Sequence, residues 1–343
     1  MKPNIFDFAT KELSQDAFLT WLLNWADPSN SDIDPKLHDC ASEFVKELIK
    51  RKIPEFNEEI TVVIAGRQWE NIDIWVEVNN QYLLIIEDKT NTQRHSDQLL
   101  NYKKFATDWC IDNNYKEPIC IYIKTGNESM ASLNGVRKEG FYIYNRPDIV
   151  ALLNSHPEIQ NNIFNDFKLR INRLENENHL FKEKKIRDWV SSDWQGFFQL
   201  LEQEMEIADW KFVNNPNKGF WCAILDWAEW GIFPVYIQLE QAKLCFKIST
   251  HPDDLDFHND ISQAEIRDQF HHKLMEMARE NDYKEIKRPG RFGNGKYMTV
   301  AVVEPQDWLG NEEDSINIQE IIRKLNLYKT FLSEVRLKKI TTV

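Results

Sequence analysis

Apolar residues near the start of the chain recur every three or four positions, which is helical spacing. This pattern predicts an amphipathic helix over residues 12–25. Ser14 could cap its first turn, or Glu12 could already lie inside that turn. A polar segment follows. A second helix is predicted over residues 36–52, because Pro54 disfavours helical backbone at the residue before it.

From residue 59 the period changes to two, which is typical of strands. Residues 59–65 and 71–78 predict two strands, the second with strict alternation between its two faces. Residues 82–86 are apolar on both faces, which predicts a central strand. That strand runs into the sequence Glu-Asp-Lys at positions 87–89.

The remaining elements divide the chain into domains. Helices are predicted over 94–112 and from Pro147, with strands over 118–124 and 140–144. Residues 160–206 are largely helical, because Gly and Pro are scarce there. Later strands are predicted at 219–227, 233–239, 243–249 and 297–303, and helices at 262–280 and 316–335. We therefore expect a first domain (1–155), a helical connector (156–208) and an α+β recognition or partner domain (209–343).

Composition narrows the class of protein. With 42% hydrophobic and 28% charged residues, the 343-residue chain has a globular composition. We expect a cytoplasmic protein, because no apolar run is long enough to span a membrane and no signal-peptide pattern opens the chain. The five cysteines form no Cys-x-x-Cys pair and are expected to be buried free thiols. The net charge of −13 argues against a surface coated with phosphate-binding residues, but allows a nucleic-acid enzyme with one basic cleft.

Asp73, Glu87 and Lys89 form the pattern that carries chemistry. Glu87 and Lys89 are two apart on one strand, so they share a face. In a hairpin with a two-residue turn, Asp73 would lie opposite Ile86, facing away from them. A three-residue loop or a bulge would place Asp73 opposite Glu87. We predict the odd loop or the bulge, because only then do the two carboxylates meet.

Two carboxylates about 5 Å apart across a hairpin repel one another unless a positive charge lies between them. Mg²⁺ would meet this need, since it takes one or two carboxylates together with waters and phosphate oxygens. The backbone carbonyl of Asp88 could add a ligand, and Lys89 would orient an attacking water and offset charge on a phosphate. The alternative is an exposed salt bridge at two strand ends. The apolar strand before Glu87 disfavours it, because a buried carboxylate needs compensation.

Four sequence pieces over about residues 4–155 resemble the PD-(D/E)xK nuclease superfamily. They are a Glu-containing helix from Glu12 to Leu23, Ile72-Asp73-Ile74, Ile86-Glu87-Asp88-Lys89, and Gln98-Leu99-Leu100-Asn101-Tyr102. The resemblance is closest to a bacterial branch in which Asn is frequent at the position of Asp88. It implies an α/β fold class: a restriction-endonuclease-like α/β core with a mixed sheet, here followed by the C-terminal α+β domain.

The resemblance also implies roles for single residues. Asp73, Glu87, Lys89, Glu12, Gln98 and Tyr102 would be catalytic, and Asp73, Glu87, Glu12 and the Asp88 backbone carbonyl would bind Mg²⁺, for which Mn²⁺ could substitute. Glu12 could instead be an ordinary first-turn acid favoured by the helix dipole. Gln98 and Tyr102 lie on one helix face, which could instead pack on the sheet.

A basic segment late in the chain is a further candidate for substrate binding. Residues 282–297 hold five basic residues, interleaved with glycines and aromatics. Lys287, Arg288, Arg291 and Lys296 could grip a nucleic-acid backbone. The alternative, slightly favoured from sequence, is a solvated turn.

The sequence therefore predicts a Mg²⁺-dependent nuclease acting on phosphodiester bonds, of DNA rather than RNA. The resemblance implies a setting in restriction, anti-phage defence or mobile-element functions. No membrane partner is expected, whereas a homodimer or an activator protein would be consistent partners. Two alternatives stay open: a non-catalytic nuclease-like module that binds nucleic acid or a protein, which the charge of −13 favours, and an effector nuclease that needs an activator.

Overall fold

A computed structural model describes residues 3–91, 97–215, 218–251 and 262–337. The chain forms two compact units. The first holds the residues up to Glu128 together with Ser132–Glu177, and the second holds Ser129–Ala131 and the chain from Asn178 onward. Two helices lie in the segment that was expected to connect two domains. The helix Asn162–Glu177 belongs to the first unit, and the helix Ser191–Glu204 belongs to the second.

The first unit is built on a five-stranded mixed sheet in the order β1-β2-β3-β4-β5. Its strands are β1 (Val63–Trp69), β2 (Ile72–Val78), β3 (Tyr82–Lys89), β4 (Ile119–Lys124) and β5 (Tyr142–Asn145). Strand β2 is antiparallel to both of its neighbours, β1 and β3. Strands β3, β4 and β5 are parallel to one another. The expectation that β3 is central is confirmed, and each of its residues is buried.

The β2–β3 hairpin has the register that the carboxylates require. Val78 is paired with Tyr82, so three residues form the loop, and Ile74 is paired with Ile86. Asn79 and Asn80 adopt left-handed backbone with φ of 56° and 52°, which asparagine tolerates better than most residues. The predicted odd loop is therefore confirmed.

Helices cover both faces of this sheet. They are α1 (Glu12–Trp25), α2 (Pro35–Lys50), α3 (Gln98–Asp112), α4 (Met130–Lys138), α5 (Arg146–Ser155) and α6 (Asn162–Glu177). One core joins α1, α2, α5 and α6 to one face, and a smaller core joins α3 and α4 to the other. The arrangement is the α/β core with a mixed sheet expected from the sequence.

Two elements of this unit differ from the prediction. Strand β1 covers 63–69 instead of 59–65, because the ladder begins at Val63, whereas Thr61 donates its backbone N–H to the side chain of Asn79. Helix α4 was missed, since only Leu133 and Val136 of its residues are buried apolar side chains. The predicted start of α3 at residue 94 lies outside the described residues.

The second unit contains an antiparallel five-stranded sheet in the order β10-β9-β8-β7-β6. Its strands are β6 (Asp209–Val213), β7 (Phe220–Trp230), β8 (Phe233–Glu240), β9 (Lys243–Ser249) and β10 (Tyr297–Val303), and its helices are α7 (Ser191–Glu204), α8 (Gln263–Glu280), α9 (Pro305–Trp308) and α10 (Ile318–Leu337). One core joins residues of the sheet, α7, α8 and α10. The expected α+β architecture is thus present. The sequence missed β6, a short edge strand paired only with β7.

Two expectations from composition can be compared with the fold. All five cysteines are buried and free, as predicted. Within the described ranges, no helix has the length and apolarity needed to cross a membrane.

Candidate active site

Asp73, Glu87 and Lys89 meet at the end of the central strand. Lys89 Nζ lies 2.5 Å from Glu87 Oε1 and 3.7 Å from Asp73 Oδ2. The Asp73 carboxylate is also held by the backbone, because its Oδ2 accepts a hydrogen bond of 3.0 Å from the N–H of Asp88. The three side chains that the sequence singled out are therefore brought together on one sheet face.

The Glu87 carboxylate is the most electrostatically perturbed group of this trio. Burial, and then repulsion from Asp73, raise its pKa to about 8, against the attraction of Lys89. Burial lowers the pKa of Lys89, but the negative charges of Glu87 and Asp73 outweigh burial, so the pKa of Lys89 is raised overall. Neither carboxylate oxygen of Glu87 has a hydrogen-bond partner among the described residues, although Lys89 is within ion-pair distance. Lys89 is therefore the charge partner of this buried carboxylate.

Glu12 is brought to the same strand end from the first turn of α1. Its Oε1 accepts a hydrogen bond of 2.8 Å from the N–H of Thr90, the residue after Lys89. Its charge also helps to raise the pKa of Lys89. The helix begins at Glu12 itself, so the alternative in which Ser14 caps it was wrong.

Gln98 and Tyr102 lie one turn apart in the first part of α3. Gln98 Nε2 donates a hydrogen bond of 2.7 Å to the hydroxyl of Tyr102. Burial and the charges of Glu87 and Asp73 raise the pKa of Tyr102. Tyr102 is therefore close enough to Glu87 and Asp73 for their charges to act on it, and Gln98 is hydrogen-bonded to Tyr102.

Asp88 takes part in a buried polar cluster that the sequence did not reveal. Its side chain faces α1, as expected from strand alternation, and there its Oδ1 accepts a 2.6 Å hydrogen bond from Gln15. Burial raises the pKa of Asp16 to about 6 despite its hydrogen bond to Asp88. Burial and the same contact raise the pKa of Asp88 well above its usual range.

A second buried ion pair lies beside the site and was also missed. Lys124 is in register with Lys89 on the neighbouring strand. Its Nζ lies 3.2 Å from Glu128 Oε2, and both side chains are buried. Burial lowers the pKa of Lys124, and Glu128 opposes this. Tyr122 donates a further hydrogen bond to Glu128. The one sequence signal was a lysine at the end of an otherwise apolar strand.

The donor set at this site suits a hard divalent ion. Among the described residues, no group of three or more His, Cys, Asp and Glu side chains has the arrangement of a metal cluster. Mg²⁺ does not need one, since it commonly uses one or two carboxylates and keeps several waters. The buried Glu87 oxygens without hydrogen-bond partners and the facing Asp73 carboxylate provide such ligands.

One protein family matches the first part of the chain. A model of the PD-(D/E)XK nuclease superfamily matches residues 3–190, which is more than half of the chain and includes every residue of the candidate site. The chain belongs to the PD-(D/E)XK nuclease superfamily. No curated protein and no solved structure matches it. Nucleases are hydrolases, so the chain belongs to a family of hydrolases. PD-(D/E)XK nucleases generally use divalent metals.

The four predicted substrate-binding residues of this nuclease-family chain lie in its second unit. Lys287 pairs its backbone with Val302, and Lys296 Nζ lies 2.9 Å from His251 Nε2. The guanidinium of Arg288 lies 4.4 Å from the ring centroid of Phe292. Arg291 is exposed. Phe292, an aromatic residue of the same segment, is thus in contact with Arg288.

Proposed function

We propose that this protein is a Mg²⁺-dependent nuclease that hydrolyses phosphodiester bonds of DNA, with Mn²⁺ able to substitute. The observation that carries the proposal is the convergence of Asp73, Glu87 and Lys89 at a buried strand end. A buried Glu87 carboxylate that is repelled by the half-buried Asp73 carboxylate has no structural benefit of its own, which supports a ligand that needs both.

In this proposal each residue has one task. Asp73 and Glu87 would hold the metal, with help from Glu12 and the Asp88 carbonyl. A bound Mg²⁺ would supply Lewis acidity toward a phosphate oxygen and would acidify a water. Lys89 would hold the attacking water through Nζ and offset negative charge that develops on the phosphate. Gln98 and Tyr102 would fix the position of Lys89 or of a phosphate oxygen.

The finer parts of the proposal rest on other support. The preference for DNA and the setting in restriction, anti-phage defence or mobile-element functions follow from the family resemblance. The five buried free cysteines support a cytoplasmic location. Lys287, Arg288, Arg291 and Lys296 would contact substrate phosphates, and their positive charge in a chain of net charge −13 supports this. A homodimer or an activator protein would be its protein partners.

The direct test is nuclease activity on supercoiled plasmid, linear duplex, single-stranded DNA and structured RNA, with Mg²⁺, Mn²⁺ or EDTA. Cutting should require the metal and should fall by about 10²–10³-fold or more in Lys89→Ala. Lys50→Ala, at an exposed lysine at the end of α2, is the matched control and should cut like the wild type. Equal cutting by Lys89→Ala would refute the assignment.

The net charge of −13 supports one rival, a non-catalytic nuclease-like module. A working site should bind Mg²⁺ or Mn²⁺ and raise the melting temperature. Absence of both cutting and metal-dependent stabilisation would favour the binding module. Metal-dependent stabilisation without cutting would point to an effector that needs an activator.

A further inference from the structure

Three tryptophans of the first unit line one cavity. Trp69 ends β1, Trp75 lies in the middle of β2, and Trp109 lies on α3. Together with the Glu77 carboxylate they line a space of about 180 Å³. Because about 10–15 Å³ suffices for one water molecule, the cavity has room for a small organic group.

The indole rings stand at steep angles to one another. The centroid of Trp69 is 5.5 Å from that of Trp109, with planes at 84°, and 6.1 Å from that of Trp75, with planes at 63°. Rings in this arrangement form differently oriented walls. A flat nucleobase is held best between parallel rings, so this geometry suits a compact, rounded ligand.

Neighbouring residues hold these walls in place. Gly66 is paired with Trp75 across the sheet, and a Cβ at position 66 would lie 2.5 Å from the Trp75 ring. The indole can lie across β1 only because that residue is glycine. Tyr115 packs against Trp109 at 4.9 Å, and its hydroxyl donates a hydrogen bond of 2.5 Å to Glu77 Oε2. The cavity is therefore preformed.

The charge at this cavity is negative, because Glu77 is the one ionisable residue among the described residues that line it. Within the part of the chain that the structure describes, Glu77 makes no ion pair with lysine or arginine, and its recorded side-chain contact is the Tyr115 hydroxyl. A carboxylate beside three indole rings repels an anion and has no electrostatic attraction for a neutral alkyl group. A cation is attracted both by the carboxylate and by the ring quadrupoles.

From this geometry we infer that Trp69, Trp75, Trp109 and Glu77 form a binding site for a methylated ammonium group. Cation–π attraction acts when the cation lies within about 6 Å of a ring centroid, and tryptophan is the strongest partner. The methyl groups fill the apolar space, and the carboxylate balances the charge. The site uses none of the six predicted catalytic residues and does not rest on the proposed nuclease activity.

The chemistry could come from a free molecule such as choline or from a trimethylated lysine side chain. Calorimetric titrations of the full-length protein should use choline, its uncharged analogue 3,3-dimethylbutan-1-ol, and Nα-acetyl-trimethyllysine amide beside the unmethylated lysine amide. Choline should bind at least about tenfold more tightly than the uncharged analogue, since only the charged ligand gains cation–π attraction and the attraction of the carboxylate. Tighter binding of the trimethyllysine amide than of choline would identify a modified protein as the source.

Variants test whether the signal comes from this cavity. Glu77→Gln and Trp109→Leu should each weaken choline binding, and Gly66→Ala should do so by displacing Trp75. Trp227→Leu, at a half-exposed tryptophan of the second unit, should bind like the wild type. Lys89→Ala should also bind normally, so a failed nuclease assay leaves this test intact.

Three results would overturn the inference. They are equal binding of choline and its uncharged analogue, undetectable binding of every probe, and tighter binding of free adenosine or cytidine than of choline. Circular dichroism of each variant separates a lost site from a lost fold. If Glu77→Gln does not fold, Gly66→Ala and Trp109→Leu still decide the question.

Discussion

The Gln15 amide donates a hydrogen bond of 2.6 Å from Nε2 to Oδ1 of Asp88. The same amide accepts one of 2.9 Å from the hydroxyl of Thr125 through its Oε1. One buried side chain of α1 therefore joins the middle of the sheet to the loop after β4. It supports the strand that carries Glu87 and Lys89 from the face opposite to them.

Gln15→Ala should destabilise the protein. The substitution leaves a buried carboxyl oxygen and a buried hydroxyl without their partner, which costs about 1–3 kcal/mol. Denaturant unfolding followed by circular dichroism measures the effect. Leu13→Ala, at an exposed position of the same helix, should change the stability by no more than about 0.5 kcal/mol. A similarly small change in Gln15→Ala would show that the cluster contributes nothing to stability.

Glu12→Gln should separate the charge of this residue from its hydrogen bond. The amide oxygen of glutamine can still accept from the Thr90 N–H, so the melting temperature should stay near that of the wild type. If the charge helps to hold the metal, nuclease activity should fall by about 10–100-fold. Glu12→Ala should reduce both quantities. Full activity in Glu12→Gln would leave only a structural role for this residue.

Lys124→Met should be strongly destabilising. It leaves the Glu128 carboxylate buried without its cation, which costs about 3–5 kcal/mol. The double variant Lys124→Met/Glu128→Leu should recover part of that loss, because no uncompensated charge then remains. A double-mutant cycle from denaturant midpoints measures the coupling. Lys273→Met, which removes a more exposed ion pair with Glu276, should cost no more than about 1 kcal/mol. An equal cost at both sites would contradict the role of burial.

His271 should make stability depend on pH. Its Nδ1 lies 2.7 Å from the carbonyl oxygen of Val300. Because a carbonyl oxygen only accepts, Nδ1 donates, and the neutral ring makes this hydrogen bond with its single N–H. Burial, together with nearby His272 and Arg288, lowers its pKa in the folded protein, although the Val300 carbonyl opposes this. The unfolded chain then binds the proton more readily. The stabilisation is complete above about pH 6.5, the usual histidine pKa, and is lost as pH falls through the lowered pKa.

Thermal melts between about pH 7.5 and pH 5 should therefore show a decline that is smaller in His271→Asn. The same substitution at exposed His272 should leave most of the decline in place. An unchanged decline in His271→Asn would assign the pH dependence to other groups.

The sequence by itself determined most of the helices and strands and the three side chains that meet at the end of β3. Strand alternation placed Glu87 and Lys89 on one face, and the demand that Asp73 join them predicted the three-residue loop that the hairpin has. These inferences succeed because the strand period and the turn length are local properties. The same local rules fail for α4 and β6, which are short and bury few apolar side chains.

Only the tertiary structure decided which residues that are distant in sequence contact one another. Glu12 meets Thr90 across 78 positions of sequence, Gln15 meets Thr125 across 110, and Trp109 of α3 meets Trp69 and Trp75 of two strands. Nothing in the local pattern of any of these residues specifies its partner. Each contact depends on how a helix packs against the sheet, and that packing is set by the whole hydrophobic core.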